Sequence, residues 1–192
     1  MKQLKIPVLF ISLLLNCTNV FSQVSQKKTT TENSVTPAQL AQYRLQFWDS
    51  LPNAISWTSD FAGLFTKTQR NYMDSIMADF EKNTTTEIGI ITLDTFCTEA
   101  AYFEDLALHF AQTWGVGKKD INNGILICIS PGYRRIRICN GSGILQYLSD
   151  EETQQIINEH ILIEYKNGDY FAGTGAGLLA IIAKLYGRIK KE

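Results

Sequence analysis

The sequence predicts an α/β fold on a small mixed β-sheet, and three features carry that prediction. Residues 125–129 (ILICI) are an unbroken apolar run, as expected of a strand covered on both faces. Residues 87–93 (EIGIITL) form a second short buried strand, with an amphipathic stretch over 99–114 between the two. Strand, helix, strand implies a right-handed crossover and parallel neighbours. After Pro131-Gly132, Arg135 and Arg137 alternate with Ile136 and Ile138, the period of a strand that turns and pairs back antiparallel.

The 192 residues allow one domain with a real core and terminal extras. Lys2 and Lys5 precede an apolar run over 6–15, and Val20-Phe21-Ser22 places small residues before a cleavage point. Residues 1–22 therefore read as a secretory signal peptide, too short to span a bilayer. Cys17 opens a rival reading as a lipoprotein, because Leu14-Leu15-Asn16-Cys17 resembles a lipobox. Asn16 is a poor residue there, and cleavage after Ser22 is preferred. The expected location is the periplasm or the exterior, with an envelope lipoprotein anchored through Cys17 as the alternative. Residues 23–36 are polar, Thr-rich and aperiodic, a flexible linker.

Pro37 opens an N-terminal helical extension over 37–54, in which Leu40, Tyr43, Phe47 and Leu51 share a face. The domain proper is expected over 55–191. Its first stretch, 55–65, reads as an irregular or extended lead-in with Trp57, Phe61 and Leu64 to bury. Thr66 and Gln69 form a capping box for a helix to about Lys82, with Tyr72, Ile76 and Phe80 on one side and Met73 and Met77 beside them. The helix over 99–114 carries Phe103, Leu106, Ala107, Phe110 and Trp114. Asn140-Gly141-Ser142-Gly143 is a turn. Ser149 and Glu152 box a helix carrying Ile156, Ile157, His160 and Ile161. Asn167-Gly168-Asp169 breaks it, and a last helix runs from about Tyr170 to Lys191.

Composition excludes several functions. The formal charge is −1, and loss of Lys2 and Lys5 with residues 1–22 makes it −3. A mildly acidic chain whose basic residues cluster only at 134–137 is a poor nucleic-acid binder. Cys97, Cys128 and Cys139 are an odd set after cleavage and read as buried free thiols. Cys128 and Arg134 have the Cys-x5-Arg spacing of cysteine phosphatases. A strand followed by a Pro-Gly turn, however, lacks the helix N-terminus that chemistry needs. Gly173, Gly175 and Gly177 follow no strand, so they read as helix-packing glycines rather than a dinucleotide site. His109 and His160 fall near apolar helix faces and read as partly buried structural histidines.

The segment 57–66 (WTSDFAGLFT), then 87–93, Trp114-Gly115-Val116-Gly117, Asn122-Asn123-Gly124 and 134–138 come in the order of the TPM domain. So do Gly141 to Gly143, Leu148-Ser149-Asp150 and Asn167-Gly168-Asp169-Tyr170, and the chain resembles that family over about 55–185. The resemblance implies a three-layer α/β/α Rossmann-like sandwich, usually exported and often membrane-tethered. What it implies about activity is divided, and many bacterial members have no established activity. Thylakoid-lumen relatives are associated with photosystem repair and acid phosphatase activity, and other members look like divalent-cation-binding modules.

Two ends of the sheet offer candidate chemistry. Asp120, Asn122, Asn123, Asn140 and Asp150 are expected to converge at one end, where calcium or magnesium would find hard oxygen ligands; Asp120, Asn123 and Asp150 are the candidate metal residues. Their structural alternative is an Asn-Gly turn and a favourable helix N-terminus. Asp60, Asp94 and Arg134 belong to the opposite end, where open α/β sheets usually bind ligands. Asp60 matches the aspartate of the family's opening motif, with a cap or turn role as its alternative. Catalytic residues are not assigned. The sequence reading is a cation-binding interaction, assembly or quality-control module acting on a protein partner at the cell envelope. The alternative is a metal-dependent phosphomonoester hydrolase. Membrane association would come only through Cys17 or a partner.

Overall fold

A computed structural model describes residues 35–189. The expected signal peptide, Cys17, all but the last two residues of the linker and residues 190–192 lie outside the described residues. Helix α1 (Pro37–Asp49) leads to strand β1 (Thr58–Asp60), helix α2 (Lys67–Thr84) and strand β2 (Glu87–Thr92). A 3-10 turn (Ala100–Tyr102) runs into helix α3 (Phe103–Trp114), followed by strands β3 (Gly124–Ser130) and β4 (Arg135–Asn140). Helix α4 (Asp150–Ile156), a π-helical turn (Ile157–Ile161), α5 (Leu162–Lys166) and α6 (Tyr170–Tyr186) close the domain.

The sheet order is β1-β2-β3-β4, with the first three strands parallel and β4 antiparallel to β3. Alternate residues divide the core between two faces. Ile88, Ile90, Ile125 and Ile127 meet Met73, Met77 and Phe80 of α2 and Leu178 and Ile181 of α6. Ile91, Leu126 and Cys128 meet Phe103, Leu106 and Phe110 of α3, with Phe47 of α1 packed alongside. The protein is thus the expected α/β/α sandwich. Every residue of β3 is buried, which is why its sequence is an uninterrupted apolar run.

Strands β1 to β3 are laid down in one direction across the sheet, yet α2 and α3 cover opposite faces. The two crossovers therefore have opposite hands, and one departs from the right-handed expectation. The consequence is functional geography: the chain leaves β1 and β2 toward opposite faces, and the carboxyl end between such strands is where open α/β sheets usually bind ligands.

Both predicted capping boxes form, at Thr66 with Gln69 and at Ser149 with Glu152. Other local expectations are corrected. The lead-in contains β1, whose three residues are too few to show a period. Trp57 is 40% exposed, its indole N–H donating to Glu81 Oε2 at 3.3 Å. In α2 the buried stripe is Met73, Met77 and Phe80, while Tyr72 stays exposed. His160 is exposed on the π turn, because the extra residue per turn shifts the face it presents. The last helix ends at Tyr186. Gly173 and Gly177 lie so close to Tyr165 and Ile161 that a Cβ at either position would collide. They are packing glycines, as the sequence implied.

Candidate functional site

The carboxyl end between β1 and β2 is occupied by the protein's own side chains. Asp60 ends β1 with its side chain 2% exposed. Its Oδ1 accepts from the Leu64 N–H at 2.8 Å and the Thr92 hydroxyl at 2.6 Å. Its Oδ2 accepts from the Phe65 N–H at 2.9 Å and Arg70 Nη1 at 3.2 Å. A carboxylate has about four acceptor sites, and all are engaged. Thr92 Oγ1 accepts in turn from the Ala62 N–H at 3.0 Å, and Arg70 also donates to the Phe65 carbonyl at 2.6 Å. Asp60 sits where an open sheet would hold a bound anion, and holds the β1–α2 connection together instead.

Asp94 and Arg134 share this end of the sheet without joining Asp60. Asp94 is exposed, and its Oδ1 accepts from the Thr95 hydroxyl at 3.0 Å and the Phe96 N–H at 3.3 Å, a local turn. Arg134 is exposed at the β3–β4 hairpin with a φ of 53°. Tyr133 fastens that hairpin to the loop after β2, donating to Thr95 O at 3.1 Å and lying 2.9 Å from Thr98 O. Sequence reasoning missed Arg70 and Tyr133. The signal for Arg70 was its place one turn into a helix whose cap follows Asp60 closely; for Tyr133 there was none.

The other end of the sheet is assembled by backbone approach. Asn123 is buried; its Oδ1 accepts from the Lys118 N–H at 2.8 Å and its Nδ2 donates to the Thr85 carbonyl at 2.9 Å. It thereby ties the α3–β3 loop to the end of α2, where Thr85 has a φ of 64°. Glu87 accepts from the Gly117 N–H at 2.8 Å and from Lys118 Nζ, which also reaches Glu81 at 3.0 Å. Burial pushes the Glu87 carboxyl up, but the Lys118 ammonium and the Gly117 N–H outweigh it, so the group titrates below its ordinary 4.5. Gly124 and Gly143 are required here, since a Cβ would collide with the carbonyls of Val116 and Ile121 respectively.

Asp120 and Asp150 are exposed at this same end, one in the α3–β3 loop and one opening α4. Asn140 donates to Thr153 Oγ1 at 2.7 Å, and its Oδ1 is a buried atom without a partner. The topology does bring these loops to one end, with the Gly141 N–H donating to Gly124 O at 2.8 Å and the Gly143 N–H to Asn122 O at 3.1 Å. Among the described residues, no three His, Cys, Asp or Glu side chains gather as a metal-binding group. The Asn123 side-chain oxygen is already engaged. A hard cation wants six to eight oxygens. The side chains here do not form a preorganised cage for one.

The cysteines and His109 are structural. Cys97, Cys128 and Cys139 are buried and unpaired. Burial pushes the Cys97 thiol up to about 11 and raises those of Cys128 and Cys139 as well. Cys128 faces Arg137 and Cys139 faces Leu126, so the two thiols are diagonal on the sheet rather than opposed. His109 stacks on Trp48 with ring centroids 4.4 Å apart and its Nε2 3.0 Å from the Trp48 carbonyl. It helps hold α1 on α3, together with Trp114, whose indole N–H donates to Pro52 O at 2.8 Å.

A small mixed sheet between two helical layers, with a saturated aspartate closing the end of its first strand, defines an α/β/α domain of the Rossmann-like kind. Residues 58–184 match the TPM domain, and the chain belongs to that family. It is similar to the solution structure of the N-terminal domain of a P. gingivalis protein, with 29% identity and a TM-score of 0.64 over 76% of this chain and 89% of that one. The structure of BA42 from the psychrophilic bacterium Bizionia argentinensis shares the fold at 22% identity and a TM-score of 0.57, over 67% of this chain and 86% of that one. So does the N-terminal domain of cg2496 from Corynebacterium glutamicum, at 14% and 0.50, over 74% and 85%. No curated protein matches.

Proposed function

We propose that the chain is an exported interaction and assembly module that works by holding a protein partner at the cell envelope, in the manner of a quality-control or scaffold domain. The observation that carries this reading is the saturation of Asp60. The carboxylate at the position where the fold usually binds ligand is buried and fully bonded, so it offers neither a base nor a ligand to substrate. A phosphohydrolase would need a carboxylate pair and an arginine facing one pocket. Arg134 lies at one end of the sheet and Asp120 and Asp150 at the other.

Cation binding is the second half of the proposal. Asp120 and Asp150 would contribute carboxylate oxygens, with backbone carbonyls and water completing the shell. Such a thin donor set corresponds to the weakest extracellular calcium modules, with Kd on the order of 10⁻⁴–10⁻³ M. Calorimetric titration with calcium and magnesium, with phosphomonoester turnover assayed in the same samples, tests the reading. Weak saturable binding without turnover is expected. Turnover abolished by chelator would replace the module with a hydrolase.

A further inference from the structure

Strand β4 is an edge strand, and its hydrogen-bond parity can be read from one contact. The Gly141 N–H donates to Gly124 O in register with the ladder that pairs Cys139 with Leu126, Arg137 with Cys128 and Arg135 with Ser130. In an antiparallel pair, residues that bond inward alternate with residues that point outward. The N–H and C=O groups of Ile136, Ile138 and Asn140 therefore face away from β3, with Ile136 and Asn140 partly exposed and Ile138 only 5% exposed. No strand lies beyond β4 among the described residues.

The surroundings of this edge are chemically biased. Residues 131–140 (PGYRRIRICN) contain three arginines and no acid, in a chain whose net charge is −1. Arg134 is exposed, Arg135 is exposed while one of its nitrogens donates to the Ala100 carbonyl at 2.7 Å, and Arg137 is half exposed although it reaches Glu104 at 3.6 Å. Beside the far end of the strand, a groove of about 590 Å3 runs between α3 and β4, lined by Leu108, Ala111, Lys119, Cys139 and Asn140. Leu108 is 46% exposed there.

We infer that the β4 edge takes an acidic, extended segment of a partner protein as a fifth strand. The outward groups of Ile136, Ile138 and Asn140 pair with its backbone, Arg134, Arg135 and Arg137 select its carboxylates, and the groove by Leu108 receives an apolar side chain. Main-chain pairing supplies affinity in such strand addition, and side-chain pockets supply specificity. A second copy of this chain is disfavoured as the occupant, because antiparallel pairing of β4 with itself would bring its arginines face to face, and like charges across strands repel. The inference rests on the interaction-module reading and names the surface that reading leaves open.

The test uses the 15N-labelled chain and a capped peptide of alternating glutamate and valine, with the lysine–valine peptide as control. Expected are saturable amide shifts confined to β4 and the α3 groove, and hydrogen exchange slowed about tenfold or more at Ile136, Ile138 and Asn140. The lysine peptide should produce neither. The double variant Arg135→Glu with Arg137→Glu should abolish both effects while keeping the wild-type spectrum elsewhere. Ile136→Pro should do the same, because it removes an outward N–H and no ladder bond. If either variant fails to fold, the wild-type comparison of the two peptides still decides. Equal response to both peptides, shifts only outside β4, or protection that appears with protein concentration and no peptide would each overturn the inference. Partner binding at another surface would sink the inference and leave the module reading standing, whereas phosphomonoester turnover would sink that reading.

Discussion

The two ends of the sheet are held by opposite means. At the carboxyl end of the parallel strands, side chains do the fastening: Asp60 with Arg70 and Thr92, and Tyr133 with the backbone near Thr95. At the amino end, the absence of side chains does it. Gly124 and Gly143 let the loops approach within backbone contact, and Asn123 and Glu87 lock what the glycines allow. A fastening side chain is buried and saturated, which removes it from chemistry. Glycine fastening leaves neighbouring acids such as Asp120 and Asp150 at the surface. Asp60 at one end is thus structural, whereas Asp120 and Asp150 at the other stay exposed.

The sharpest way to break this contrast is Asp60→Ala. It would orphan two backbone N–H groups and the Thr92 hydroxyl, at about 1–3 kcal/mol for each buried group left unsatisfied, and take the carboxylate from Arg70, which is itself a third exposed. Urea unfolding measures it; a loss below about 1 kcal/mol would mean the carboxylate is not a fastening. Gly124→Ala should come next, costing roughly 1–3 kcal/mol or more through the clash with Val116. Asn123→Ala follows, at about 1–3 kcal/mol for leaving the Lys118 N–H and the Thr85 carbonyl without their partner.

A smaller effect lies in pH. Glu87 titrates below 4.5 in the folded state, as does Glu152, which the Arg188 guanidinium holds down first and the Lys184 ammonium second. Their contribution is present above the unfolded value and lost as pH falls through the folded one. Thermal melting should therefore be flat from neutral pH down to about 5 and fall below it. Glu152→Gln should shallow that fall; an unchanged acid limb would show that these pairs are absent in solution. The smallest stability effects belong to Asp120→Ala and Asp150→Ala, each within about 0.5 kcal/mol. The cation reading expects them to weaken calcium binding in a calorimeter. Unchanged affinity in both would remove that half of the proposal.

Sequence period and turn chemistry reach some parts of this molecule and not others. The apolar run of β3, the Pro131-Gly132 hairpin, and the Thr66 and Ser149 boxes are local patterns, and each formed where it was read. Strand β1 stays open between irregular and extended in the sequence because three residues carry no period, and its pairing with β2 supplies the order that its own sequence lacks. The exposed Tyr72 and Trp57 were misread because an aromatic on an apolar stripe looks buried until the neighbouring helix is placed. For the candidate site, strand order alone places Asp60, Asp94 and Arg134 at one end of the sheet and Asp120, Asn123 and Asp150 at the other.

What the sequence determined by itself is the class of fold, the hairpin, the helix starts and the family, because these depend on short-range steric preference and on alternation against a core. What only the tertiary structure decided is which polar residues remain available. Arg70 reaches Asp60 across a helix turn, Asn123 reaches Thr85 from 38 residues away, and α2 and α3 settle on opposite faces of the sheet. Hydrogen-bond saturation is a property of neighbours in space. No spacing along the chain encodes it.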